Sequence, residues 1–298
     1  MSTDDITMSL FPEFEKFVTE TGLSSKAKGA LAANLPRILG QGKTKAIGLE
    51  LPPAPIERKL ELVNLKLPEG VSLPQSVRDE IATVRLAVEG EIKELTSEEG
   101  SRRLCSQTIQ RIRDTKEINA GIKDNFFFAD RLVLVPEGRR QSWSWNITPH
   151  YPVIPKIPCD VIYLEKAFYA AQKKLQSLLL PTEVFIHKLE LSWQMARHFS
   201  KSDETVLIID VAKMYLIAAQ EDRFWGSPKK QYFVDYPNAA FIINFLQWKA
   251  NAISSNEVRF EITPATVHQA HGSDTKAFFL PLNHEGTQTR PYMYMTRF

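Results

Sequence analysis

Acidic and basic side chains around Asp210 offer one route to hydrolytic chemistry in this sequence. Asp210 follows the apolar run 206–209, and a carboxylate at the end of a buried strand can hold a magnesium-bound water. Lys213 comes three residues later, whereas the Glu/Asp-x-Lys arrangement of many nucleases places the lysine two residues from the acid, so that both point the same way from a strand. Asp210 is therefore the one catalytic candidate of a metal-dependent, nuclease-like hydrolase.

Two late histidines could hold a metal ion. His268 and His271 are three residues apart, so one turn of helix would place both on the same face, with Asp274 or Glu285 as a third ligand. The surrounding segment is rich in turn-forming residues and contains no cysteine, which favours surface or hydrogen-bonding histidines instead. We therefore expect no metal and no cofactor, and keep His268 and His271 as the candidate ligands.

The other catalytic motifs are incomplete. The segment Gly40-Gln41-Gly42-Lys43-Thr44 ends like a phosphate-binding loop, but Arg37 occupies the position where that loop needs a glycine. No Gly-x-Ser-x-Gly turn occurs, and neither Cys105 nor Cys159 has an activating base nearby in the sequence. Enzyme activity stays uncertain, and the sequence favours a protein that is not an enzyme.

The basic residues form two blocks that could contact phosphates. Residues 22–49 carry five bases and no acid, and residues 101–145 carry nine bases against five acids. A local positive field attracts a polyanion even though the whole chain has a net charge of only +2. The predicted nucleic-acid contacts are Lys26, Lys28, Arg37, Lys43, Lys45, Arg139 and Arg140.

Two tryptophans beside the second basic block admit two interpretations. Trp143 and Trp145 alternate with serines, so on a strand both rings would lie on one face. If that face is exposed, the rings could stack on bases; if it is buried, they belong to the core. The alternation favours the core, and we keep both tryptophans among the nucleic-acid-binding candidates.

The elements that would position these residues begin with two helical regions. Residues 1–50 predict a helical hairpin in which Gly22 separates two helices. Lys28 and Gly29 stand where a DNA-reading helix-turn-helix would bury a branched side chain, so an ordinary hairpin is expected. Residues 51–125 predict a linker and two charged helices, the first over 74–95 and the second from a capping box at Thr96 and Glu99.

The rest of the chain mixes strands and helices. Residues 126–158 predict an aromatic β-hairpin and a Pro-rich connector over 148–158 that separates two domains. Residues 159–298 predict an α+β domain with helices over 161–180, 182–199, 211–221 and 238–253, and strands over 205–209, 231–234, 258–262, 277–282 and 292–298. The expected fold class is α+β, with a helical N-terminal part followed by a mixed or antiparallel sheet domain with flanking helices.

Composition and the chain start limit the compartment. No run approaches the roughly 18 apolar residues of a membrane-spanning helix. The first residues include Asp4 and Asp5 rather than a basic and apolar leader, and the only two cysteines are expected to be reduced thiols. We expect a soluble intracellular protein, cytoplasmic or nuclear, that is not secreted and has no membrane partner.

Three functional hypotheses follow from the sequence. The leading one is a non-catalytic nucleic-acid-binding or nucleoprotein-assembly component that contacts phosphates through the basic blocks. The second is a protein-interaction or scaffold subunit, because residues 51–100 carry 10 acids against 6 bases and could bind a basic partner or a second copy of the chain. The third is the metal-dependent hydrolase with Asp210.

Overall fold

The computed structural model describes residues 75–138, 140, 142–200, 204–234, 237–255, 260–270 and 276–298. The predicted helical hairpin 1–50 and the predicted linker up to residue 74 lie outside these residues. The chain divides into two compact units. Of the described residues, the first unit comprises those within 75–108, 136–143 and 156–164, and the second comprises those within 109–135, 144–155 and 165–298.

Two polar helices come first in the described chain, as predicted. Helix α1 spans Gln75–Thr96 and helix α2 spans Glu98–Thr115. The amide of Gly100 donates to the Ser97 hydroxyl at 3.0 Å, so Ser97 rather than Thr96 caps the second helix. The predicted cap was wrong by one residue, because the Thr96 hydroxyl donates back to the Ile92 carbonyl at 2.8 Å and is not available to α2.

A five-stranded antiparallel sheet follows, with its strands in sequential order. Its members are β1 Ala120–Lys123, β2 Phe126–Ala129, β3 Leu132–Glu137, β4 Ser142–Thr148 and β5 Tyr151–Pro158. Asp124 and Asn125, between β1 and β2, both have positive φ (51° and 65°), as a tight two-residue hairpin turn of type I′ requires. Short connections of this kind account for the meander order.

The Pro-rich segment 148–158, which the sequence predicts as a connector, contributes an edge strand of this sheet instead. Strand β5 lies at the end of the strand order and carries Pro152, Pro155 and Pro158. Proline has no backbone N–H to donate to a neighbouring strand. In an edge strand this is tolerated, because one side of the strand has no neighbour to bond. Proline therefore excludes the centre of a sheet but not its edge.

The second sheet belongs entirely to the second unit, and β9 is its central strand. It contains β6 Thr205–Leu207, β7 Phe260–Pro264, β8 Phe278–Pro281 and β9 Thr289–Arg297. Strand β9 pairs antiparallel with β8 through its first half and with β6 and β7 through its second half. The predicted last strand is thus confirmed, and with it the α+β fold class.

The helices of the second half also largely confirm the predicted ones. They are α3 Val161–Ser177, α4 Thr182–Phe199, α5 Ile208–Ala218, α6 Asp222–Gly226, α7 Asn238–Ser255 and the short α8 Val267–Ala270. The strand predicted over 231–234 was wrong, because Lys230–Tyr232 forms a 3-10 turn. Among the described residues, no helix is both long and apolar enough to cross a membrane.

An aromatic cluster forms the core of the second unit. Tyr215 of α5 lies 5.6 Å from Phe185 of α4 and 5.5 Å from Phe241 of α7, measured between ring centroids. Phe241 in turn meets Phe278 of β8 at 5.5 Å. All four rings are fully buried. The cluster holds α4, α5 and α7 together, and so fixes the position of the chain that leaves the end of α5.

The two cysteines belong to the first unit and are free, buried thiols, as the sequence predicts. Burial is the main cause that raises the pKa of Cys105, and nearby Cys159 raises it further. The Cys159 thiol donates to the carbonyl of Arg140 at 3.2 Å. A buried thiol with a raised pKa holds little thiolate, so Cys105 is not a nucleophile in this conformation.

Candidate nucleic-acid interface

Most of the predicted phosphate contacts lie outside the described residues. This applies to Lys26, Lys28, Arg37, Lys43, Lys45 and Arg139. Arg140 is described and half-buried, with a positive φ of 61° and its carbonyl bonded by Cys159. Phosphate contact by these basic residues therefore stays a prediction.

Both candidate tryptophans of the hairpin are core residues. Trp143 is 4% exposed and Trp145 is 0% exposed, and the Trp145 ring lies 5.3 Å from that of Phe168 on α3. A buried ring offers no face to a base. The prediction that Trp143 and Trp145 stack on bases is thus wrong, and the alternative, that both rings belong to the core, is confirmed.

The candidate catalytic and metal-binding residues form no metal site among the described residues. Asp210 lies in the first turn of α5 and pairs with Lys213 at 3.0 Å, an i,i+3 ion pair on a partly exposed surface. His268 is exposed on α8, and His271 lies outside the described residues. Within the described ranges no three His, Cys, Asp or Glu side chains are grouped so that they could hold a metal.

A different segment of the second unit brings aromatic and basic side chains together at the surface. We call residues 221–234, which follow α5, the aromatic–basic loop. It contains the short helix α6 and the 3-10 turn Lys230–Tyr232. Seven of its residues are aromatic or basic: Arg223, Phe224, Trp225, Lys229, Lys230, Tyr232 and Phe233.

Gln220 closes the base of this loop. Its side-chain amide donates to the carbonyl of Val234 at 2.7 Å, and the amide of Val234 donates back to its Oε1 at 2.9 Å. The same amide nitrogen also donates to the Leu216 carbonyl at 2.7 Å, one turn back in α5. Gln220 is buried, so these bonds are shielded from water. The two ends of the loop are thereby held together, as in compact Ω-loops.

The cations of the loop face solvent. Arg223, Lys229 and Lys230 are all exposed. Arg223 lies over the ring of Tyr232, with 5.8 Å between the guanidinium carbon and the ring centroid, which limits the freedom of its long side chain. In the described part of the chain, no ion pair within 4 Å joins Lys229 or Lys230 to an acid. Three positive charges are thus exposed on this loop.

The two acids of the loop lie near its base, where Lys188 of α4 offsets them. Lys188 donates to the carbonyls of Ala218 and Ala219 at 3.3 and 3.1 Å, at the end of α5. Burial lowers the pKa of Lys188, and the nearby Asp222 and Glu221 act in the opposite direction. The cation therefore satisfies two helix-end carbonyls and compensates the acids beside them.

The aromatic side chains of the loop pack on one another and leave two rings exposed. Phe224 is half-buried, and its centroid lies 5.4 Å from that of Trp225 and 5.7 Å from that of Phe233. Trp225 is nevertheless 54% exposed and Phe233 is 41% exposed. Trp225 is the exception among the tryptophans, since Trp143, Trp145, Trp193 and Trp248 are all buried. Two exposed rings that pack on the same phenylalanine form an apolar surface patch, which is typical of interaction sites.

The long blocks of like charge in the sequence do not point to this loop, although its signal is visible. Its three cations lie next to two acids, so the net charge of the segment is small. The segment from Arg223 to Phe233 does interleave basic and aromatic residues over 11 positions. It also lacks the alternation of a strand and the spacing of a helix face, which is typical of a loop that exposes its side chains.

Comparison with known proteins adds no relative. Neither a protein-family model, nor a curated protein, nor a solved structure matches the chain.

Proposed function

We propose that this protein is a non-catalytic nucleic-acid-binding component, and that the aromatic–basic loop is one of its contact surfaces. A single observation carries the proposal: exposed cations and exposed aromatic rings are interleaved on a loop whose ends are held together by Gln220. Cations attract the phosphate backbone, and aromatic rings add contacts that a purely ionic surface lacks. The basic residues predicted at 26–45 and 139–140 are further candidate phosphate contacts of the chain.

The closed base of the loop supports binding through a lower entropic cost. A loose loop would lose conformational freedom when it engages a ligand, whereas a loop held by buried hydrogen bonds has already lost much of it. The cation–π contact of Arg223 with Tyr232 acts in the same direction for one of the three charges. The loop is therefore suited to bind without first folding.

Two buried cysteines that form no disulfide support an intracellular location for this function, because a reducing compartment keeps thiols reduced. The hydrolase hypothesis gains no support from the described residues, since Asp210 is engaged with Lys213. The scaffold hypothesis has one observation in its favour: tryptophan and arginine are also the residues that dominate protein interfaces. The experiment below separates the two classes of partner.

Charge reversal in the loop tests the proposal directly. The variant Lys229→Glu/Lys230→Glu is compared with wild type by fluorescence anisotropy on labelled DNA and RNA at several salt concentrations. The matched control is Lys173→Glu/Lys249→Glu, which changes the net charge equally at two exposed lysines outside the loop. Contact of three cations with a single strand gives a log–log salt slope of about −2.

We expect the loop variant to bind at least tenfold more weakly and to lose most of that slope, while the control changes much less. Equal weakening by both variants would mean that only total charge matters, and would count against the loop. Absence of binding to any nucleic acid at low salt would reject the function itself, and would direct attention to protein partners.

A further inference from the structure

The substrate class can be specified further from the two exposed rings. We infer that the aromatic–basic loop selects single-stranded over duplex nucleic acid, because unpaired bases stack on Trp225 and Phe233. This inference rests on the proposed function, since it concerns the same site. It adds a preference that phosphate contacts alone would not produce, because phosphates are present in both forms.

The orientation of the rings leaves room for a base. The planes of Trp225 and Phe224 meet at 77°, and those of Phe224 and Phe233 at 64°. Neither Trp225 nor Phe233 is thus stacked face to face on Phe224. Together with their exposed fractions, this geometry leaves π-surface that water now covers. A base that covers it removes apolar area from water and gains stacking contacts.

Only an unpaired base can use that surface. In a duplex, each base inside the helix has neighbours on both faces and offers the grooves only its edges. To reach Trp225, a paired base would first have to leave the stack, which costs free energy of pairing and stacking. In a single strand that cost is largely absent. The rings therefore favour single strands, while Arg223, Lys229 and Lys230 attract either form.

Base identity should matter little at this site. Every base has a π-face, so stacking on a ring tolerates any sequence. Specific readout would require polar groups arranged toward base edges, whereas the contacts proposed for this loop are stacking on rings and attraction of phosphates by cations. The ligand class is accordingly a single strand of mixed sequence, and the choice between DNA and RNA is left to the measurement.

The experiment uses the full-length protein and four labelled probes: a DNA strand, an RNA strand of the same sequence, the corresponding DNA duplex, and a DNA strand of equal length built from abasic units. The abasic strand keeps the phosphates and removes the bases. We compare wild type with Trp225→Ala and Phe233→Ala. Phe199→Ala is the matched control, because Phe199 is 76% exposed and lies at the end of α4 outside the loop.

We expect wild type to bind the single strands more tightly than the duplex or the abasic strand. Each loop variant should lose about 5- to 150-fold in affinity for the base-bearing strand, the range seen when one stacking platform is removed. Affinity for the duplex and the abasic strand should change by less than about threefold, as should every affinity of the Phe199 control. Because Trp225 is exposed, we expect its variant to fold normally, which circular dichroism checks.

Intrinsic fluorescence gives a second reading at the same residue. Four of the five tryptophans are buried, so quenching that accompanies strand binding should come mainly from Trp225 and be lost in Trp225→Ala. Equal affinity for strand and duplex, or equal losses on the base-bearing and abasic strands, would overturn the single-strand preference while the proposed function stands. No binding to any probe would overturn both.

Discussion

Strand β4 and the aromatic–basic loop contain similar residues and present them in opposite ways. Each has tryptophan in or near a basic sequence: Trp143 and Trp145 follow Arg140, and Trp225 follows Arg223. In β4 the rings are buried, whereas in the loop Trp225 is more than half exposed. Composition therefore does not decide which aromatic residues are available to a partner.

The difference comes from how many neighbours each segment has. Strand β4 lies between β3 and β5, and all residues from Trp143 to Thr148 are buried, so both faces of the strand are covered. The loop has no sheet partner, and its ends are held by one glutamine. Its rings can cover only each other. Exposure of such rings to water is unfavourable, and a surface patch of exposed apolar rings is typical of binding sites.

Truncating the two tryptophans measures this difference, and we expect the largest effect here. Trp145→Ala removes a fully buried ring and should destabilise the protein by about 3–5 kcal/mol, or prevent folding. Trp225→Ala should change the free energy of unfolding by less than about 0.5 kcal/mol, because its ring is exposed. Urea denaturation followed by circular dichroism measures both. Similar losses in the two variants would contradict the comparison.

A second substitution tests how closely another turn packs on β4. Gly286 has a φ of +75°, and a Cβ added there would lie 2.3 Å from the carbonyl oxygen of Ile147. Gly286→Ala should therefore destabilise by about 2–4 kcal/mol, from backbone strain and the clash together.

The matched control is Gly138→Ala in the loop before β4. Gly138 also has a positive φ, of +52°, but nothing lies within 4 Å of an added Cβ. Its cost should be near 1 kcal/mol, from the backbone conformation alone. If the two variants are equally stable by urea denaturation, the close approach to Ile147 does not contribute.

Periodic segments could be predicted well from the sequence. Helix α4 spans Thr182–Phe199, the predicted range, because its apolar residues follow a helical spacing and Pro181 precedes it. The alternation over 141–147 predicts a strand, and β4 spans Ser142–Thr148. In both cases the signal lies within the segment itself, so no knowledge of distant residues was needed.

The candidate site could not be predicted in the same way. Its closure depends on Gln220 and Val234, which are 14 residues apart and bond only because the chain turns back on itself. Residues 231–234 have the composition of a strand but form no pairing with one, and Lys230–Tyr232 becomes a 3-10 turn. Strand β5 is the opposite case. Its prolines are not typical of a strand, yet the segment forms one because it pairs with β4. Non-local hydrogen bonds decide both cases.

Opening the base of the loop gives a smaller, local effect. Gln220→Ala removes the acceptor for the Val234 amide and both donated hydrogen bonds, which should cost about 1–3 kcal/mol locally. We expect faster hydrogen exchange at the Val234 amide and faster tryptic cleavage after Lys229 and Lys230, with little change in β4.

Gln220→Glu is the conservative comparison, because it keeps an oxygen for the Val234 amide and loses the donors. At neutral pH it should open the loop at least as much as Gln220→Ala, because its second carboxylate oxygen faces the Leu216 and Val234 carbonyls to which the amide nitrogen donated. If the cleavage rates of all three proteins are the same, Gln220 does not hold the loop closed. The loop would then not be preorganised for binding.

The smallest expected effect concerns His150, in the turn between β4 and β5. The residue is exposed at the surface, but its ring stacks on Phe279, with centroids 3.9 Å apart and planes at 23°. Removal of water from the ring lowers the pKa of His150 below the usual value of about 6.5. The unfolded chain therefore binds a proton at a higher pH than the folded protein does.

The sign of the pH dependence follows from that order. Between the lowered pKa of folded His150 and about 6.5, the unfolded state holds more protons, so stability falls as the pH is lowered through this window and levels off below it. His150→Phe keeps an aromatic ring on Phe279 and removes the titration, so its free energy of unfolding should decline less between about pH 7.5 and pH 5. Urea denaturation across that range measures it. If the variant keeps the wild-type dependence of the free energy of unfolding on pH, a group other than His150 causes that dependence.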